Sequence, residues 1–253
     1  VEREAFKLFA TLERDHWWFR GRRGLYLPLL EHVLRRAGRA EALDVLDVGC
    51  GVGGFLGPLG RFGAVLGTER DEESVRWCRA RGLARTCVAE CDALPVPLES
   101  HDVVCLWDVV EHVDDDVAVL REARRVLRPG GHVALSVPAY QFLYAHNDRV
   151  AHHKRRYTRG RLVGALRAAG FEVAAASYVN TVLSLGIVPA VLALKAKQSL
   201  FPPGPQDASN NLSVRIPRPL NELLAWVFAS ERHVLRHVPA PFGHSVFAVG
   251  RRP

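Results

Sequence analysis

The chain has 253 residues, 48% hydrophobic and 24% charged, which are ordinary globular proportions with room for one large α/β domain. No stretch reaches the roughly 18 uninterrupted apolar residues of a membrane-spanning helix, and the charged start Val1-Glu2-Arg3-Glu4 does not read as a secretion signal. The formal charge is +7, carried almost wholly by arginine and dispersed apart from the run His152-His153-Lys154-Arg155-Arg156, so a nucleic-acid partner is not expected.

In chain order, residues 2–38 read as helical and hold the aromatic cluster His16-Trp17-Trp18-Phe19. Short apolar runs follow at Leu43–Val48, Ala64–Gly67, Thr86–Ala89, Val103–Trp107 and His132–Val137, and such continuous apolarity suits strands buried on both faces. Between them Asp71–Arg81 and Asp114–Leu127 have helical periodicity. The second opens on Asp114-Asp115-Asp116, which favours the positive end of the helix dipole, and stops at Pro129-Gly130-Gly131. After a helix at Arg159–Ala169, Phe171–Ser177 and Ser245–Val249 read as an antiparallel strand pair. Residues 179–241 between them hold two helices and a link at Pro202-Pro203-Gly204-Pro205.

The expected fold is therefore α/β. It is a doubly wound, mostly parallel seven-stranded sheet with an antiparallel last strand, an N-terminal helical cap (1–40) and a helical lid insertion (179–241) between the core (41–178) and its final strand (242–253). The five cysteines (Cys50, Cys78, Cys87, Cys91, Cys105) lack metal-finger spacing and suit a reducing compartment, so cytoplasm is the expected location.

Candidate chemistry starts at the first strand, which runs into Gly49-Cys50-Gly51-Val52-Gly53-Gly54, after which a helix is expected. Glycines there permit positive φ and a close approach of backbone to ligand. Gly49, Gly51 and Gly54 also satisfy the dinucleotide fingerprint. Against that stand Asp47 two residues before the first glycine, Glu69 at the end of the second strand and Asp92 after the third, with no phosphate-binding Lys or Arg in the loop. Three carboxylates favour a zwitterionic, phosphate-free adenosyl ligand.

On the segments Asp47–Gly53, Glu69, Cys91-Asp92-Ala93, Trp107–Val113 and Val126–Gly131 the chain resembles the class I S-adenosylmethionine (SAM)-dependent methyltransferases. The resemblance covers about residues 43–177 and the last strand. It implies that Asp47, Gly49, Cys50, Gly51 and Gly53 hold the methionine moiety, Glu69 with Arg70 the ribose, and Asp92 with Ala93 the adenine. Trp107 and Asp108 would line the transfer site, and His16 and Arg20 of the N-terminal segment would approach it. SAM is the implied cofactor and S-adenosylhomocysteine the product.

His112, His146, His152 and His153 are the candidate bases, with Tyr140 to orient an acceptor. No metal is expected, and the weak candidate ligand set is Asp108, Glu111 and His112, which a later histidine could complete; Asp108 stands in place of the glutamate of metal-binding proteins with this pattern. The expected reaction is methyl transfer to a small-molecule acceptor, preferentially on oxygen. The alternatives are a lipid- or sugar-linked acceptor at a membrane and non-methyl-transfer chemistry on the same fold. The apolar run Val179–Leu194, followed by Lys195 and Lys197, allows peripheral membrane contact, and the oligomeric state is open.

Overall fold

The computed structural model describes residues 12–39, 42–83, 85–200 and 216–253. The Pro202–Pro205 link and the expected helicity of residues 2–11 lie outside the described residues. Seven strands form one sheet: β1 (Leu43–Val48), β2 (Gly63–Glu69), β3 (Thr86–Val88), β4 (His101–Trp107), β5 (Leu127–Pro138), β6 (Glu172–Val179) and β7 (Ser245–Arg251). Their order is β3-β2-β1-β4-β5-β7-β6. The β1–β2, β1–β4, β2–β3 and β4–β5 pairs are parallel, whereas β7 runs antiparallel to both neighbours. This is the Rossmann-like α/β sheet expected from the sequence. The order reverses at β1, so ligands have a crevice at the carboxyl ends of β1 and β4.

Helices cover both faces. On one face α1 (Trp17–Arg36) buries Leu25, Tyr26, Leu29, Leu30 and Leu34 against Val45, Val103, Cys105, Phe247 and Val249. That inward set recurs at helical spacing and makes α1 a layer of the core rather than an appendage. Its first turns lie at the carboxyl edge, where Trp18 meets His244 and Arg22 meets Ser136. Past its far end, Arg39 reaches Asp102 at the start of β4.

After β1 comes only a short α2 (Leu56–Leu59), because Gly57, Pro58 and Gly60 interrupt the helix expected after the glycine turn. Next comes α3 (Glu72–Ala80), capped by Asp71, whose side chain accepts from the Ser74 N–H. The opposite face holds α4 (Asp116–Val126), capped by Asp115, which buries Val119, Leu120, Ala123 and Val126. Pro129-Gly130-Gly131, expected only to stop that helix, lies inside β5. Gly130 takes φ +76° there, and its N–H donates to the Arg252 carbonyl.

A short α5 (His146–Val150) and α6 (Arg159–Ala168) complete the core. From the carboxyl end of β6 the insertion follows as α7 (Thr181–Leu200), α8 (Arg218–Ser230) and the single turn α9 (Arg232–Leu235). Glu231 accepts the Val182 N–H at 2.8 Å and so anchors the start of α7. The inner face of α8 packs on α1, where Gly21 and Gly24 let Phe228 and Ala229 come close. No helix of the described residues is long and apolar enough to cross a membrane.

Candidate active site

The glycine turn after β1 has the predicted backbone. Gly49, Gly51 and Gly53 adopt φ of +69°, +55° and +91°. A side chain at Gly49 would meet Val109 at 2.7 Å, so that glycine packs the turn against the end of β4. A side chain at Gly51 would meet nothing within 4 Å, so that side of the turn is open to a ligand. Glu69, at the end of β2, ties the turn in place. Its Oε2 accepts the Gly51 N–H at 3.0 Å and its Oε1 accepts the Asp71 N–H at 3.1 Å. A carboxylate has about four lone-pair sites, so these bonds leave acceptor capacity for the hydroxyls of a bound ligand.

Asp47 is 1% exposed and both its carboxylate oxygens lack a hydrogen-bond partner. Burial, with Glu13, Cys78 and Glu69 nearby, pushes its carboxyl well above the usual range. A buried carboxyl without partners is costly, and it persists where a ligand completes it. Cys50 is buried beside it in the turn. Arg70, Asp92 and Ala93 lie exposed beyond β2 and β3.

Trp107 ends β4 within an aromatic stack with Tyr26, Phe55 and Phe247, and its indole N–H is buried and unpartnered. Asp108, in the left-handed region at φ +56°, accepts from the Ser136 hydroxyl at 2.9 Å and pairs with Arg22 at 2.8 Å.

Arg22 was not anticipated from the sequence, which pointed to Arg20. Two residues are about 200° of helix, so Arg20 turns outward to Glu222 of α8 while Arg22 follows the inward face of α1. The buried spacing Arg22, Leu25, Tyr26, Leu29 held that signal. His16 caps α1, its Nδ1 accepting the Trp18 N–H at 3.2 Å, and its Nε2 is buried without a partner. Glu13 was missed as well. It lies against Gly54 of the glycine turn and pairs with Arg81, which also donates to the Val52 carbonyl.

The acceptor side is built from the segments after β4 and β5. Glu111 is 0% exposed with both oxygens unpartnered, and burial, then Asp108, pushes its carboxyl well up. His112 packs edge-on against His153 at 4.7 Å between ring centroids, and burial, then His153, lowers it to about 4. His153 in turn shares a 2.8 Å hydrogen bond through Nδ1 with Asp148. Two nitrogens of Arg156 donate to the Asp148 carboxylate, at 2.8 and 3.0 Å. Burial opposes ionisation of Asp148, yet the bonds from His153 and Arg156 outweigh it and hold the carboxyl at about 2. Arg156 and Asp148 are the missed members of this relay. Their signal was the basic run 152–156, in which His152 and Lys154 stay exposed while His153 and Arg156 turn toward Asp148.

His152 stands apart, exposed in a left-handed turn at φ +57°, while His146 opens α5. Tyr140 stacks between Phe142 and Tyr178, and burial, then Tyr178, raises its hydroxyl to about 12.

Of the metal candidates, Glu111 and His112 come together with a later histidine, whereas Asp108 does not join them. Asp108 is engaged by Arg22 and Ser136, and the ligand atoms that come within 4.8 Å of one another belong to Glu111, His112 and His153.

Known proteins resemble this chain in sequence and in fold. Residues 46–135 match the family model described as a methyltransferase domain. A protein of Mycolicibacterium smegmatis named as a SAM-dependent methyltransferase is 34% identical over 171 residues, covering 64% of this chain and 62% of that one. A ubiquinone biosynthesis O-methyltransferase of Yersinia enterocolitica is 32% identical over 151 residues, 53% of this chain and 60% of its own length. The chain thus spans about three fifths of the length of these curated relatives. A chain of the complex between a methyltransferase and a methyltransferase activator of Haloferax volcanii superposes with a TM-score of 0.59. It is 22% identical, and the match covers 100% of this chain and 98% of that one.

Proposed function

We propose, on the premise that this chain belongs through residues 46–135 to the class I SAM-dependent methyltransferase superfamily, that it methylates a small-molecule acceptor on oxygen. The residues at the carboxyl edge suit the cofactor. The open side of Gly51 leaves a cradle, the unpartnered Asp47 carboxyl can accept from an ammonium group, and Glu69 can accept from ribose hydroxyls. SAM, when bound, supplies an electrophilic methyl carbon on sulfur, and the carbon–sulfur bond breaks as the acceptor oxygen bonds to that carbon.

The protein's share of the reaction is alignment, dryness and a proton acceptor. The stack of Tyr26, Phe55, Trp107 and Phe247 walls one side against water. His153 takes the acceptor hydroxyl's proton on Nε2. Its Nδ1–H donates to Asp148, which Arg156 keeps ionised and which steadies the imidazolium as it forms. Tyr140, raised to about 12, stays protonated and serves as a hydroxyl donor rather than a base. This Asp148–His153 pairing is the observation that carries the choice of oxygen, since a hydroxyl needs a base in a way that an amine or a thiolate does not. The ubiquinone-pathway O-methyltransferases among the relatives support the same choice. The reading uses no metal: Asp108 is held by Arg22, and His153 acts as the base rather than as a ligand beside Glu111 and His112.

Transfer of label from methyl-labelled SAM into a fractionated cell extract tests the reading. Glu69→Ala should weaken SAM binding at least about tenfold by removing a charge-assisted contact. His153→Gln should leave SAM binding intact, lower kcat by roughly 10²-fold and flatten the acid limb of the pH profile. EDTA should leave the rate unchanged. Full activity in both variants, or none in wild type that binds SAM, would overturn the proposal.

A further inference from the structure

Beyond the site, the helices of the insertion present an unusual outer surface. On α7, Val182, Leu185, Pro189, Leu192, Ala196 and Leu200 are all exposed, and their spacing puts them on one stripe of the helix. Leu185 is 67% exposed and Leu200 75%. A helix lying on a protein surface ordinarily turns polar residues outward. The neighbouring α8 repeats the inversion. It buries Ala225 and Phe228 toward α1 and exposes Leu220, Leu223 and Trp226, the last at 68%.

The charges on these helices are mainly basic: Lys195, Lys197 and Arg218 stand against Glu222 alone, and Glu222 is already paired with Arg20. The apolar surface also continues into the site. Lys195 donates to the Phe142 carbonyl at 2.7 Å, Phe142 is exposed and stacks on Tyr140, and Thr181 donates to the carbonyl of exposed Phe242.

We propose that the exposed apolar faces of α7 and α8 dock onto an anionic lipid bilayer. Apolar stripes with an exposed tryptophan and flanking cations are the composition of helices that lie in the plane of a membrane interface. A second copy of the chain fits less well, since pairing these faces would bring Lys197 and Arg218 of both copies together. The connecting segment 201–215 fits less well too, being mostly Pro, Gly, Gln, Asn, Ser and Asp. Resting on the methyl-transfer reading, the docking implies an acceptor that partitions into lipid and enters the carboxyl edge past Phe142 and Tyr140.

Cosedimentation of the whole chain with vesicles of phosphatidylglycerol and phosphatidylcholine tests the surface. Binding should require the anionic lipid, weaken with salt by about fivefold for each basic residue in reach, and blue-shift the tryptophan emission, a shift that Trp226→Phe should abolish. Leu185→Ser with Leu192→Ser should lose vesicle binding at least about tenfold while keeping the wild-type circular dichroism and SAM affinity, since both side chains are exposed. Two results would overturn the proposal. One is no binding to anionic vesicles at low salt. The other is a dimer in light scattering that the same substitutions dissolve. SAM affinity, measured alongside, keeps the two proposals separate: vesicle binding by a protein that never binds SAM would sink the methyl-transfer reading and leave the membrane surface standing.

Discussion

Arg22 has a charged group buried among aromatic rings. Its guanidinium lies 5.5 Å from the ring centre of Tyr26 and 5.7 Å from that of Phe55, and pairs with Asp108 at 2.8 Å. Removing one partner of a buried pair costs more than the pair contributes, because the other charge is stranded. Asp108 is 28% exposed at its side chain, so solvent recovers part of that cost. Arg22→Met should therefore destabilise by about 2 kcal/mol in urea unfolding. It should also free Asp108 to swing from Ser136 and raise the Kd for SAM. Arg22→Lys keeps the charge but not the planar face over Tyr26, and should recover less than half of the loss.

At the scale of elements, the N-terminal helix and the insertion meet through glycine. A side chain at Gly21 would come within 2.5 Å of Phe228, and one at Gly24 within 2.8 Å of Ala229. Both glycines lie inside a helix, where each costs about 1 kcal/mol relative to alanine, and close approach of α1 to α8 offsets that cost. Gly21→Leu should push α8 away and lower the thermal midpoint by several degrees, as overpacking of 1–3 kcal/mol does. Gly57→Ala, at an open position of α2, should not.

The strands were legible because β1, β4 and β5 are apolar on both faces. The glycine turn with Asp47 and Glu69 was legible because its residues are close in sequence. The Arg22–Asp108 pair and the Asp148–Arg156 clamp on His153 were not. Each depends on which of two neighbouring cations faces inward, which follows from helix phase and loop path rather than from composition. The short α2 was legible in Gly57-Pro58 and Gly60 but was outweighed by the pattern of the preceding turn.

Across the whole molecule the two edges of the sheet differ in how their charges are matched. At the amino edge, Arg39 and Arg128 pair with Asp102, Arg128 also with Asp44, and Arg252 with Glu99. At the carboxyl edge, Asp47 and Glu111 are buried with no partner, and Glu13 and Glu69 are also raised by burial. Unmatched, perturbed groups concentrated at one edge are what a binding site requires and what stability disfavours.

The sign of the pH effect follows. A carboxyl raised in the folded state keeps its proton while the unfolded chain, with an ordinary value near 4.5, releases it. Glu111 therefore destabilises increasingly as pH rises above about 4.5, until the folded carboxyl itself ionises. Glu111→Gln removes that penalty at nearly the same shape. It should stabilise the ligand-free protein at pH 8 and have little effect at pH 4.5. Urea unfolding at both values, in EDTA and then with added manganese, checks this. A gain at pH 8 that manganese leaves unchanged supports a neutral, metal-free Glu111. A manganese-dependent stability in wild type that Glu111→Gln abolishes would instead make Glu111, His112 and His153 ligands.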